Sequence, residues 1–97
     1  MKLRYTLPAL ADLDSILAYL ADASPQGANR VQKRLQHVIS LLLVQPKMGV
    51  PTHDTTVRRL SALPYPFLIF YEIADDEILI HAIRHAARNP SGMPGSE

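Results

Sequence analysis

Residues 67–85 read FLIFYEIADDEILIHAIRH, two apolar segments joined by a short polar link. Segments 67–73 and 78–85 are rich in aliphatic, aromatic and β-branched residues, which favour strands. The link at 74–77 has the length of a hairpin connection, so the two strands should pair antiparallel. Residues 67–71 are all apolar, so both faces of this strand are apolar. This strand should therefore lie centrally in a sheet, packed on both faces or on one face and against a partner.

Two helical patterns precede this hairpin. The first covers about residues 8–22 and repeats its apolar residues at steps of three and four: Ala9, Leu13, Ile16, Leu17 and Leu20. The second covers about 25–44, after a Ser24 N-cap and before Pro46, which ends the pattern. Because only two or three residues join them, the helices should form an antiparallel αα-hairpin.

Two further segments complete the expected fold. Residues 2–6 alternate weakly and stop before Pro8, as in a short edge strand. Residues 57–63 follow a loop at 45–56 rich in Pro, Gly and Thr and predict another strand. The resulting order, β-α-α-β-β-β, indicates an α+β fold in which the helical stripes and the sheet cover one another.

Composition limits the class of protein. Ninety-seven residues allow one domain, which we expect at 1–90 with a flexible tail at 91–97. A net charge of +1 gives no field strong enough to draw the whole molecule onto nucleic acid. The chain has no cysteine, which excludes disulfides and cysteine-based zinc sites. No apolar stretch approaches the roughly 20 residues of a membrane span, and the N-terminus lacks a signal-peptide pattern, so we expect a cytoplasmic protein without membrane contact.

Three segments in this order resemble a known family. They are Arg58 to Leu60, Pro66 to Glu72, and Ile80 to Pro90. Over roughly residues 3–90 the sequence resembles the RelE/ParE superfamily of toxins from bacterial type II toxin-antitoxin operons, and it is most similar to ParE. The resemblance implies a helical hairpin on a small, mostly antiparallel sheet.

The ParE resemblance also implies a function. ParE-type toxins of plasmid-stabilisation modules poison DNA gyrase by binding, and a ParD-like antitoxin silences them. Operator DNA would be contacted only through the antitoxin. This interpretation needs no catalytic residue and no cofactor, and it assigns the target-binding surface to five polar residues: Arg58, Arg59, Arg84, His85 and Arg88.

A RelE-type, ribosome-dependent mRNA endonuclease is the first alternative. Arg59, Arg84 and Arg88 could stabilise phosphate, and His85 or Tyr65 could move protons. RelE-like nucleases usually carry an arginine two residues after the third-strand proline, where this chain has Leu68. A second alternative is a decayed toxin that acts only in operon autorepression with its antitoxin. The arginines could also be solvated strand ends, or Arg84 and Arg88 could pair with Glu72 and Glu77.

The resemblance implies an antitoxin that lays a helix across the hairpin, for which we expect contacts at Ile16, Tyr19 and Leu41. Ordinary core or rim packing explains the same residues. The second helix carries a basic stripe opposite its apolar face, formed by Arg30, Lys33, Arg34 and His37. This stripe is either a solvated face or a contact for an acidic antitoxin segment or the DNA backbone, and Leu41 continues it as an apolar residue.

Two histidines raise the question of a metal site. His81 and His85 are four residues apart, a spacing that binds zinc on a helix. On a strand the same spacing spans about 13 Å, too far for one ion. We therefore expect no metal here and a partly buried His81 in the sheet.

Overall fold

The computed structural model describes residues 1–87. A five-stranded sheet has the order β1-β5-β4-β3-β2, with β1 parallel to β5 and every other neighbouring pair antiparallel. The α+β class and the predicted order are confirmed, with one additional strand. The elements are β1 Lys2–Tyr5, α1 Leu7–Ala23, α2 Pro25–Leu41, β2 Val50–Pro51, β3 Arg58–Ser61, β4 Phe67–Ala74 and β5 Glu77–His85. Arg88 and the predicted tail lie outside the described residues.

The helices form the predicted hairpin, and a single residue connects them. The Ser24 N–H donates to the carbonyl of Leu20 at 2.8 Å and closes α1. The Ser24 hydroxyl accepts from the Gly27 N–H at 3.0 Å and caps α2. The helix predicted to reach residue 44 instead ends at Leu41, because the next N–H groups bond three residues back, as the Leu42 N–H does to Ile39. Within residues 1–87 no helix is long and apolar enough to cross a bilayer.

Strand β4 is central and covered on both faces, as its composition predicts. Towards the helices it buries Phe67, Ile69 and Tyr71, which belong to the main core. The opposite face carries a small second cluster in which Phe70 packs with the residues Val57, Ala82 and Leu68. The main core also includes residues from both helices, from the C-cap of α2 and from β5: Ala9, Val31, Leu35, Val38, Ile39, Leu42, Ile78, Ile80 and Ile83.

A hydrogen-bonded clamp holds β2, the strand that lies inside the predicted 45–56 loop. The buried Tyr71 hydroxyl donates to the Pro46 carbonyl at 2.6 Å and accepts from the Gly49 N–H at 3.0 Å. Burial raises the pKa of Tyr71, opposed by the Gly49 N–H and the charge of Arg58. A Cβ on Gly49 would lie 2.7 Å from the Tyr71 hydroxyl and 2.9 Å from the Arg59 carbonyl, so only glycine fits.

Replacing Tyr71 with phenylalanine should lower the free energy of unfolding by about 1–3 kcal/mol, because it leaves the Gly49 N–H and the Pro46 carbonyl without their hydrogen-bond partner. Urea denaturation measures the loss, and Tyr19→Phe, on a side chain that is 75% exposed, is the matched control. Equal stability of the Tyr71→Phe variant and the parent would show that the clamp does not hold the loop.

Candidate binding cleft

A cleft of about 650 Å³ lies between the helical hairpin and one end of the sheet. One wall comes from α1 and the start of α2, and the other from residues 65–67 and 83–85. Its apolar lining is formed by Ile16, Leu20, Val31, Phe67 and Ile83, and its polar lining includes Asp12, Ser15, Tyr65, Arg84 and His85. The cleft therefore combines an apolar interior with polar groups, as binding sites commonly do.

The cleft exists because β1 is shorter than β5. Strand β1 pairs with β5 only as far as Tyr5 opposite Ile80, and the β4–β5 register shifts just beyond this point. Beyond Ile80, side chains at the start of the helical hairpin, rather than a neighbouring strand, form hydrogen bonds with the backbone of β5. The Thr6 hydroxyl donates to the His81 carbonyl at 3.2 Å, and the Asp12 carboxylate accepts the Ile83 N–H at 3.0 Å. A helix thus replaces a strand at this edge.

Asp12 also fixes the position of Arg84. The same carboxylate oxygen that accepts the Ile83 N–H pairs with the Arg84 guanidinium, and both side chains are only partly exposed. Neither Glu72 nor Glu77 is the partner of Arg84, which corrects that ion-pair alternative. Glu77 pairs with Arg4 at 3.0 Å, and Glu72 pairs with His81 at 2.8 Å.

His85 stands at the same end of β5. Its ring meets Phe67 edge-on, with centroids 5.5 Å apart and an interplanar angle of 87°. Its Nδ1 accepts the Ala87 N–H at 3.1 Å. With Nδ1 accepting, a neutral imidazole carries its proton on Nε2 and offers a donor there. The ring is therefore both packed and hydrogen-bonded in one orientation.

The structure brings together residues that the sequence assigns to different partners. Arg84 and His85, expected for the target, share the cleft with Ile16 and Tyr19, expected for the antitoxin. Tyr19 is 75% exposed, so its ring presents an unusually large apolar surface beside the cleft. One ligand that filled the cleft would cover both sets.

Three other predicted contacts lie elsewhere. The Arg58 guanidinium donates to the Gly49 carbonyl at 2.8 Å and stabilises the turn before β2. Arg59 is exposed and lies opposite Phe70, which places it on the sheet face away from the helices. Leu41 follows Val31 by ten residues, about 15 Å along α2, and does not line the cleft.

The outer face of the sheet holds the other predicted histidine. His81 is half-buried and bonded to Glu72, which confirms the expectation of a partly buried sheet residue. Nearby, the Thr56 N–H and hydroxyl lower the pKa of Asp54, and the charges of His81 and His53 add to this. No group of three potential metal-ligating side chains occurs within residues 1–87.

Asp12 is the cleft residue that the sequence does not mark. It is one of several carboxylates in or near the first helix, and nothing local distinguishes it from Asp14. Its role depends on where β1 stops relative to β5, a tertiary relation about 70 residues away in sequence. The nearest local signal is its position one residue before Leu13, at the border of the apolar stripe.

The fold agrees with comparisons to known proteins. The chain belongs to the ParE toxins of type II toxin-antitoxin modules, within the RelE/ParE superfamily: the family described as "ParE toxin of type II toxin-antitoxin system, parDE" matches residues 3–90. The resemblance read from the sequence is thus confirmed.

Two particular proteins illustrate the relationship. Toxin RelE2 of Caulobacter vibrioides (strain ATCC 19089 / CIP 103742 / CB 15) is 39% identical over 84 residues, which cover 87% of this chain and 93% of that toxin. A solved structure described as "Chromosomal ParDE TA system from P. aeruginosa" contains a chain that aligns with a TM-score of 0.76 at 27% identity. That alignment covers 88% of this chain and 95% of the other.

Replacing Asp12 with alanine should lower the free energy of unfolding by about 1–3 kcal/mol, because the Ile83 N–H and the Arg84 guanidinium lose a shared acceptor. Asp14→Ala, at an exposed position of the same helix, should change it by less than about 0.5 kcal/mol. Thermal or urea denaturation of both variants measures the difference. Equal losses would mean that Asp12 does not tie the helix to the sheet.

Proposed function

We propose that this toxin inhibits DNA gyrase by binding it, in the bacterial cytoplasm, and that a ParD-like antitoxin neutralises it by filling the cleft. One observation carries the proposal. Two of the residues expected to meet the target, Arg84 and His85, line the same cleft as Ile16 and Tyr19, two of those expected to meet the antitoxin. An antitoxin segment seated there would hide Arg84 and His85 from any target, so neutralisation would be direct competition for one surface.

Binding fits the cleft better than RNA cleavage does. Cleavage of a phosphodiester needs a base, an acid and a cation for the developing charge. Strand β4 has Leu68 where RelE-like nucleases usually carry an arginine, and the residue opposite it is Arg84. The Arg84 guanidinium is already paired with Asp12, whose negative charge offsets part of the positive charge that would stabilise a phosphate.

The cleft suits an amphipathic segment of an antitoxin. Its apolar lining can bury one face of a helix, while Ser15, Tyr65 and the Asp12–Arg84 pair can meet polar groups at the edges. Ile16 and Tyr19 are the proposed contacts on α1. Support for such a partner also comes from the similar P. aeruginosa chain, whose structure is described as a ParDE system. Operator DNA would then be reached only through the antitoxin.

The nuclease alternative has one observation in its favour. Arg84, His85 and Tyr65 lie together in the cleft, so a guanidinium and two proton-transfer groups are near one another. The second alternative, a toxin that has lost its activity and serves only in autorepression, predicts no effect on either target. The three functions therefore differ in what the isolated toxin does to DNA and to RNA.

Expression without antitoxin should cause DNA breaks and an SOS response, and the purified toxin should stabilise cleaved gyrase–DNA complexes. Arg84→Gln should reduce that activity at least about tenfold, a loss of about 1.4 kcal/mol, since the altered side chain lies in the proposed contact. Arg4→Gln is the matched control, because Arg4 forms a comparable ion pair with Glu77 at the other end of β5.

The same experiments can also contradict the proposal that the toxin inhibits gyrase. Transcripts cut at defined codon positions, with gyrase supercoiling unaffected, would establish the endonuclease in place of the gyrase inhibitor. Growth without DNA damage or RNA cleavage would identify an inactive toxin. Equal loss of activity in the Arg84 and Arg4 variants would remove the cleft from the target contact.

Tyr19→Glu should weaken binding of the cognate antitoxin by about 100-fold, because a charge replaces a large exposed ring beside the cleft. Leu10→Glu is the control, since Leu10 is also an exposed apolar residue of α1 but does not line the cleft. Isothermal titration calorimetry measures both affinities, and circular dichroism checks the fold. Unchanged affinity of the Tyr19 variant would place the antitoxin elsewhere.

A further inference from the structure

The charges of this protein are unevenly distributed along the chain. Residues 23–53 contain Arg30, Lys33, Arg34 and Lys47 and no aspartate or glutamate, although the whole chain is nearly neutral. Helix α2 lies entirely within this segment. Its solvent side is therefore a local region of positive charge on a molecule with a net charge of +1.

Five exposed residues form one ridge along α2 and the turn after it. They are Arg30, Lys33, His37, Leu41 and Val44, at successive steps of three or four residues. Such steps place side chains on one helical face, here the face opposite the buried Val31, Leu35 and Val38. We call these five residues the α2 ridge. It is basic at its start and apolar at its end, where Val44 is 78% exposed.

Within residues 1–87 the ridge cations Arg30 and Lys33 form no ion pair. None of the ion pairs Arg4–Glu77, His81–Glu72 and Arg84–Asp12 includes a ridge side chain. Arg34 differs, because its Nε donates to the Leu63 carbonyl at 2.7 Å, and it is excluded from the ridge for that reason. The charge of the ridge is thus available to an outside partner.

We infer that the α2 ridge binds an acidic amphipathic helix of a partner protein. Carboxylates of the partner would meet Arg30 and Lys33, and apolar side chains one or two turns further would cover Leu41 and Val44. Charge complementarity selects this occupant. A second copy docked ridge to ridge would oppose cation to cation, and a nucleic acid backbone would leave the exposed leucine and valine without an apolar partner.

The ridge is separate from the cleft. The cleft and the ridge share no residue. Arg30 and Lys33 lie at the level of the cleft residue Val31 but on the opposite face of α2. Leu41 lies about 15 Å further along the helix. This inference does not require gyrase to be the target or the cleft to hold an antitoxin. If either of those proposals fails, the binding experiments on the ridge still test this inference.

The test uses designed peptides and the full chain. The ridge spans about 21 Å, so a fluorescein-labelled helical peptide of about 18 residues, with glutamates at one end and leucines at helical spacing at the other, is long enough to cover it. A scrambled peptide of the same composition and a DNA duplex of about 20 base pairs are the comparison probes. Fluorescence anisotropy reports binding at low and high NaCl concentration.

The charge-neutralised variant is Arg30→Gln with Lys33→Gln. It should bind the acidic peptide about tenfold more weakly than the parent, and the parent's affinity should fall as NaCl rises. Lys2→Gln with Lys47→Gln removes the same charge from exposed positions outside the ridge and should bind like the parent. Leu41→Ser should weaken binding as well, which a purely electrostatic contact would not show.

Three results would overturn the inference. Equal binding of the designed and scrambled peptides would mean that no amphipathic helix is recognised. Equal weakening by the ridge variant and its charge-matched control would reduce the effect to net charge. Tighter binding of the DNA duplex than of the peptide, lost in the ridge variant, would assign the ridge to a phosphate backbone. Circular dichroism of every variant confirms that the helices are retained.

Discussion

The carboxylate of Asp12 connects the helical layer of this toxin to its sheet at the place where the sheet has no neighbouring strand. It accepts the backbone N–H of Ile83 and pairs with the guanidinium of Arg84, both in the C-terminal part of β5 that β1 does not reach. An edge strand with open backbone groups would otherwise be exposed to water or to other chains. The cleft, the orientation of Arg84 and the separation of helix from strand at this end all depend on that contact.

The two ends of β5 have different neighbours. Near Glu77 the strand is paired with β1, and Arg4 and Glu77 bridge the two strands. Near His85 a helix takes the place of the strand, and the space between them becomes the cleft. Since a helix axis stands further from a strand than a paired strand does, this substitution leaves room that a longer β1 would have filled. The binding surface thus follows from a short first strand.

Much of the fold could be predicted from the sequence, and the failures have physical causes. The apolar run at 67–71 identified the central strand, and the three- and four-residue periodicity identified both helices. Strand β2 was not predicted, because Val50–Pro51 is too short to show alternation and is held in place by the Tyr71 hydroxyl, which is distant in sequence. The cleft residues Ile16, Tyr19, Arg84 and His85 could be named, but their common location could not, because it depends on the register of β1 against β5.

The single residue between the helices has a consequence for the energetics of association. Ser24 is bonded to both helices and, with Ala23 and Gly27, lines the mouth of the cleft. A one-residue connection whose N–H and hydroxyl are both hydrogen-bonded holds the two helices in a fixed relation, so the helical wall of the cleft is preformed and a ligand has little conformational freedom to remove from that wall. The entropic cost of forming the complex then falls on the partner, and stiffening the partner in its bound shape is the direct route to a tighter complex.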